Sequence, residues 1–365
     1  MSFKEVTGQD SAIKILQNSL KENRRGISYL FYGPSGVGKS FTANQFAKSL
    51  NCQLKALDSC DQCVPCLKSD KLEYPDLHWL DLQKDSENLR IEQIRQVQSS
   101  INFKPFEGRV KVFVINNAQA LSEEAANCLL KVIEEPPLDS VVILIASNQR
   151  AVLPTILSRC QKIKFVALRK KQVKEILKQG CPLEPWQSDY LARYCDGRIA
   201  QAISLSRGDF LTKRKSILDT FLHTNPSGLV ALPIGRQTTA PCLVALPIGR
   251  QTTAPCLVAL PIGRQTTAPC LEEFFKDKAQ GIQALSILLS YFRDVMFVKL
   301  GMADEYLINQ DRIHEIMTVS QSYTYPGLFS LLDKLSKSFE YIGQNINIRL
   351  LVDNIRTANY SVWKK

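Results

Sequence analysis

SYLFYGPSGVGKSFTANQFAKSL, residues 28–50, changes character twice along its length. Ser28 to Tyr32 is apolar and aromatic, the composition of a buried strand, while Phe41 onward carries helical spacing. Between them stands Gly33-Pro-Ser-Gly-Val-Gly-Lys-Ser40, the pattern GxxxxGK[ST]. A glycine-rich turn between a strand and a helix lets backbone N–H groups approach phosphate oxygens at a helix N-terminus. In that reading Gly33, Ser35, Gly36, Val37 and Gly38 form the cradle, Lys39 reaches the terminal phosphates and Ser40 ligates magnesium. The expected ligand is ATP or ADP with Mg; the alternative is a glycine turn that holds nothing.

Downstream, RVKVFVINNAQAL (109–121) predicts a buried parallel strand from Val110 to Ile115, placed beside the Ser28–Tyr32 strand and delivering Asn116 and Asn117 at its C-terminal end. In ATPases with such a loop, an acidic residue here holds the magnesium and the next often orients the attacking water. Asparagine keeps the size and one carbonyl oxygen but loses the charge, so bound nucleotide is expected to be hydrolysed very slowly. A further strand, Val141 to Ala146, ends in Ser147 and Asn148, either polar contacts for a terminal phosphate or simply a polar strand end. Strands alternating with helices imply an α/β domain with a parallel, right-handed sheet.

Cys52, Cys60, Cys63 and Cys66 follow the loop's helix with the spacing C-x7-C-x2-C-x2-C. Four thiolates so close can surround one ion tetrahedrally, and zinc accepts an all-sulfur closed shell in a structural role. Four ordinary reduced thiols are the alternative. The chain has 11 cysteines, and its start, MSFKEVTGQD, lacks the basic and apolar regions of an export signal, which argues against a disulfide framework. No apolar run is read as long enough to span a membrane, and the expected location is cytoplasmic.

The 365 residues, 45% hydrophobic and 22% charged, suit two or three domains. A net charge of +11 suits an anionic partner such as a nucleic-acid backbone, or merely a solvated basic surface. Three identical copies of LVALPIGRQTTAPC occupy 229–242, 243–256 and 257–270. Their short period, two prolines and one glycine per copy fit a slippage insertion in a surface loop better than a solenoid. The insertion separates LDTFLHTNPSG from LEEFFKDKAQG, two expected amphipathic helical stretches.

At SEEAANCLLKVIEEPPLDSVVILIASNQRAVLPTILSRCQKIKF (122–165) the chain resembles the clamp-loader branch of the AAA+ ATPases, above all in Ser158-Arg159-Cys160. EVTGQDSAIKILQNSL (5–20), the glycine loop and the four-cysteine module match the same family in the same order, and SILLSYFRDVMFVKLG (286–301) and YIGQNINIRLLVDNI (341–355) resemble its helical collar. The resemblance implies a nucleotide-binding domain over 1–166 with a zinc module near 51–70. It further implies a small helical lid over 167–208 and an all-α collar over 209–365, interrupted by 229–270. It casts Arg159 as an arginine finger acting in the neighbouring subunit's nucleotide site, in a ring with gamma/tau motor subunits and a delta subunit that loads a sliding clamp onto primer–template DNA. A guanidinium's fixed charge and planar fork suit phosphate oxygens, although an arginine on a loop is often only solvated. Arg90, Arg95, Lys104 and Arg109 face either DNA phosphates or solvent. Asn116 and Asn117, together with Ala200 standing three residues after Gly197 where the motor subunit has arginine, favour a non-hydrolysing finger-bearing subunit. The alternatives are the ATP-hydrolysing motor itself and a zinc-stapled nucleotide-binding module with another partner.

Overall fold

A computed structural model describes residues 2–54, 57–82, 89–223, 274–275 and 277–343. The chain divides into two compact units, Met1–Asp209 and Phe210–Lys365. The repeats at 229–270 and the collar stretch beyond residue 343 lie outside the described residues.

In the first unit, α1 (Asp10–Lys21) precedes β1 (Ile27–Tyr32), and α2 (Lys39–Asn51) and the short α3 (Val64–Asp70) precede β2 (Leu77–Leu80). Then come α4 (Ile91–Ile101), β3 (Lys111–Ile115), α5 (Glu123–Glu134), β4 (Ser140–Ala146), α6 (Pro154–Leu157) and β5 (Gln161–Lys164). The five strands form one sheet in the order β2-β3-β4-β1-β5, every pair parallel. The strand after Arg109 is therefore not beside β1 as the sequence suggested: β4 lies between them, from Ile27↔Val141 to Tyr32↔Ala146 on one edge and from Lys111↔Ser140 to Ile115↔Leu144 on the other. The reason is burial. All seven residues of β4, SVVILIA, are buried, so its run of apolar side chains is best spent at a central position with neighbours on both edges and helices on both faces.

One face of the sheet, including Phe113, Ile115, Val142 and Leu144, packs against Ile94 and Val97 of α4 and Ala125, Leu129 and Ile133 of α5. On the other face Tyr29 meets Phe46 of α2 edge-on at 5.4 Å between ring centroids, and Phe31 meets Phe165 at 5.1 Å. Three helices, α7 (Lys170–Gly180), α8 (Pro185–Tyr194) and α9 (Ile199–Arg207), pack on one another after β5.

Among its described residues the second unit holds the helices α10 (Phe210–His223), α11 (Lys278–Lys299), α12 (Ile313–Ser322) and α13 (Tyr325–Gly343), joined by turns and short 3-10 segments. Of the helical stretch expected from Leu271, residues 271–273 and 276 lie outside the described residues; α11 begins at Lys278, where the Asp277 side chain accepts a hydrogen bond from Gln280 N at 2.7 Å and caps it. By length and composition α11 is long and apolar enough to cross a membrane, contrary to the reading of the sequence, at a mean hydropathy of 1.3; yet 56% of that window is buried inside the protein. Leu285, Leu288, Tyr291, Phe292 and Val295 place it at the centre of its unit's core. Asp294 of α11, fully buried, accepts Ile308 N at 2.8 Å, Asn309 N at 2.7 Å and Asn309 Nδ2 at 2.9 Å. Arg214 of α10, 2% exposed, forks onto both oxygens of Asp311 at 2.8 Å and onto Asn309 Oδ1 at 2.9 Å. Each buried charge is thus met by a partner, without which burial would be costly.

Candidate functional site

The loop Gly33–Ser40 connects the C-terminal end of β1 to α2 in a conformation only glycine makes cheaply. At Gly33 φ is +146° and a Cβ would sit 2.1 Å from Phe165 O; Gly38, preceding α2, has φ +98°. Lys39 is 7% exposed, and its Nζ donates to Gly33 O and Pro34 O at 2.6 Å each. Burial pulls its pKa down to about 8. The ammonium is therefore folded back over its own loop and held by two carbonyls. Gln9, 3% exposed, ties the N-terminal segment to this loop: its amide donates to Val166 O at 2.8 Å and Val37 O at 3.4 Å and accepts from Val166 N at 3.2 Å. From α9, Ala200 N donates to Gly36 O at 2.9 Å.

In front of the loop lies a cavity of about 330 Å³. Ser35, Gly36, Gly38, Lys39 and Ser40 line one side; Asn116, Asn117, Ser147 and Ala200 line another. Of the residues read as the phosphate cradle, Val37 is buried beneath the loop at 2% exposure, and Gly33 borders a neighbouring cavity of about 500 Å³ together with Asn148, Arg150 and Lys164. Ser147 is common to both cavities. Asn148 turns aside and caps the next turn, accepting from Arg150 N at 2.9 Å.

The two asparagines are pinned by a residue the sequence reading passed over. Asp81, just beyond β2, accepts Asn116 Nδ2 on one oxygen and Asn117 Nδ2 on the other, both at 2.9 Å. With each amide nitrogen committed to the carboxylate, each amide oxygen must point away from it. Asn117 Oδ1 accepts from Gln119 Nε2 at 3.2 Å, and Gln119 Oε1 accepts from Ser147 N at 3.1 Å. A continuous polar chain thus runs along the C-terminal edge of the sheet from β2 to β4. Asn117 sits at φ +55°, a left-handed conformation asparagine tolerates better than most residues. The only sequence cue to Asp81 was its place at the end of a short apolar strand.

The ligand atoms of Cys52, Cys60, Cys63 and Cys66 lie within 4.8 Å of one another. Cys60 Sγ and Cys66 Sγ are 3.9 Å apart, close to the roughly 3.8 Å expected for two sulfurs about 2.3 Å from a shared tetrahedral ion. All four are free thiols. The backbone N–H groups of Gln62 and Cys63 draw the Cys60 thiol down to about 6, while burial pushes Cys52 and Cys66 up. The cluster fits a metal: its four sulfurs lie close enough together to share one tetrahedral ion. Beneath it, the fully buried ammonium of Lys48 on α2 reaches Asp61 at 2.5 Å and Asp70 at 2.8 Å. Asp58 accepts from Phe3 N at 2.9 Å and so fastens the module to the N-terminal segment.

Arg159 lies elsewhere, exposed between α6 and β5. Its Nε is 2.5 Å from Glu134 Oε1, and Nη1 donates to Thr155 O at 3.0 Å and Ser158 Oγ at 3.2 Å. Arg90, Arg95 and Lys104 are exposed as well, whereas Arg109 is half-buried and donates to Gln53 O at 3.4 Å.

Residues 8–169 match the family described as DNA polymerase III, delta subunit, and residues 249–355 match DNA polymerase III, delta subunit, C terminal. DNA polymerase III subunit delta' of Bacillus subtilis is 27% identical over 97% of this chain and 97% of its own length. DNA polymerase III subunit tau of the same organism is 26% identical over 93% of this chain, which spans only 58% of tau. Among solved structures, a DNA polymerase III gamma subunit-related protein of Thermotoga maritima is 16% identical, covering 95% of this chain and 97% of its own, with a TM-score of 0.44.

Proposed function

The chain belongs to the clamp-loader family of DNA polymerase III subunits, and on that footing we propose that it is the delta-prime kind, which hydrolyses nucleotide weakly or not at all and lends an arginine to its neighbour. One observation carries this reading: Asn116 and Asn117 stand at the strand end where an acidic pair is needed, and Asp81 holds both by their amide nitrogens. A neutral amide neither neutralises magnesium nor draws a proton from water.

Gly33, Ser35, Gly36, Val37, Gly38, Lys39 and Ser40 would hold ATP or ADP, with Ser40 towards magnesium. Bound nucleotide supplies the phosphate charge that Lys39 would turn to meet on leaving Gly33 O and Pro34 O. Held but uncleaved, it would add to the stability of the first unit by mass action. Cys52, Cys60, Cys63 and Cys66 would hold zinc, which cross-links the module's backbone and does no chemistry. Arg159, on a short exposed helix end, would reach the ATP of an adjacent gamma/tau subunit. In this scheme 1–166 binds nucleotide, 167–208 is the lid and the helices from 209 onward join the collar, in a cytoplasmic ring with delta that fits the sliding clamp over primer–template DNA. Exposed Arg90, Arg95 and Lys104 would meet DNA phosphates without reading sequence.

The test is ATP turnover in a ring reconstituted from motor subunits, delta and this chain, with clamp and primed DNA. Arg159→Ala should abolish the share of turnover that depends on this subunit while the ring still assembles; unchanged turnover would reject the finger. The competing reading, a gamma/tau-type motor, draws support from the intact loop with its open cavity and from the similarity to tau. It requires steady turnover by the chain alone.

A further inference from the structure

We infer that Glu134 is a positioning residue for Arg159, setting the guanidinium before the neighbouring subunit arrives; the inference rests on the finger reading above. Glu134 is the last residue of α5. Pro136 and Pro137 follow, and a residue before proline is driven out of the helical region, as Glu135 is at φ −134° and ψ 68°. The helix therefore stops with a carboxylate at its C-terminal end. That is the wrong end for its own helix, since the backbone dipole there favours a cation. The acid does little for α5, and what it meets is Arg159.

The grip has three points. Glu134 Oε1 takes Nε at 2.5 Å, and Thr155 O and Ser158 Oγ take Nη1 at 3.0 and 3.2 Å. Among the described residues Nη2 has no partner, so its N–H groups are left to donate to an incoming phosphate. The backbone is equally fixed: Ser158 N donates to Pro154 O at 3.0 Å, Arg159 N to Ile156 O at 3.1 Å, and Cys160 behind them is 8% exposed, packed into the sheet's core. A free arginine side chain loses rotamer freedom when it is ordered. Held beforehand, it loses less on reaching a phosphate. Stability does not explain the pair, because Arg159 and Glu134 remain 37% and 46% exposed and ion pairs that wet contribute little.

The experiment uses the reconstituted ring with clamp and primed DNA, measuring kcat and KM for ATP alongside assembly by size-exclusion chromatography. Glu134→Ala should lower kcat about tenfold with KM and assembly unchanged. Glu134→Gln, whose amide oxygen still accepts from Nε, should stay within about threefold of wild type. Glu134→Asp keeps the charge but loses the reach, so its kcat should fall too; it decides the matter if the alanine variant does not assemble. Adding Glu134→Ala to Arg159→Ala should cost nothing further. Full turnover with Glu134→Ala or Glu134→Asp, beside lost turnover with Arg159→Ala, overturns the positioning role and leaves the finger standing. A further loss in the double variant overturns it as well, since Glu134 would then act through something else. Full turnover with Arg159→Ala removes the finger and this inference together.

Discussion

Asparagine differs from aspartate by an NH2 in place of one oxygen, and at positions 116 and 117 that exchange also reverses a hydrogen bond: the amides donate to Asp81 instead of facing it as like charges. Restoring acids here is therefore not a matter of two substitutions. Asn116→Asp with Asn117→Glu would put three carboxylates together, where they repel and hold on to protons. Changing Asp81→Asn in the same chain turns the polarity round, so that its amide donates to the new carboxylates. We expect the triple variant to release phosphate from ATP measurably faster than wild type, and the double variant to gain much less; equal rates in both would show that Asp81 does not govern the strand end. The sequence made the missing charge legible, because two asparagines after an apolar run stand out. It left Asp81 obscure, because nothing in LHWLDL says that β2 will be the neighbour of β3.

Helix α2 begins at the Gly33–Ser40 loop and ends beside the four cysteines, bearing Lys39 and Ser40 at one end and Lys48 and Cys52 at or next to the other. Cys66→Ser, or a strong chelator, should release one zinc per chain, read by elemental analysis, and lower the melting temperature of the first unit by at least about 5 °C, since a metal held only by the folded state contributes its binding energy to folding. No zinc in the wild-type protein would refute the metal site itself. In the second unit, Arg214→Ala removes a buried guanidinium from the partly exposed Asp311 and the buried Asn309, at a cost of about 3 kcal/mol in denaturant unfolding. A loss under about 1 kcal/mol would mean that water reaches these groups. Spacing alone announced the cysteine cluster, four thiols within fifteen residues of chain. The Arg214 network had no such cue: Asp311 is 97 residues away along the chain, and each charge read alone looks like a surface residue.

At the scale of the whole molecule, a pattern in the sequence and a place in the fold are separate matters. The order of strand, loop and helix was readable from apolar runs and glycines, but the order of strands in the sheet was not, because parallel neighbours are joined through helices and a strand's partner is chosen by which run gains most from burial on both edges. The repeats pose the opposite problem, a clear pattern that lies outside the described residues and whose expected place is a surface loop. Residues 224–273 join α10 to the segment before α11, and 42 of these 50 residues are the three copies. If the insertion is the surface loop the sequence suggests, it lengthens the loop that folding must close, at a cost growing as (3/2)RT times the logarithm of loop length, or about 1.6 kcal/mol between 8 residues and 50. Excising 229–270 should therefore raise the melting temperature of the second unit by about 5 °C and leave ring assembly and ATP turnover as they were. A fall in melting temperature, or a ring that no longer forms, would show instead that the repeats touch the collar and that three identical copies are kept for a structural reason.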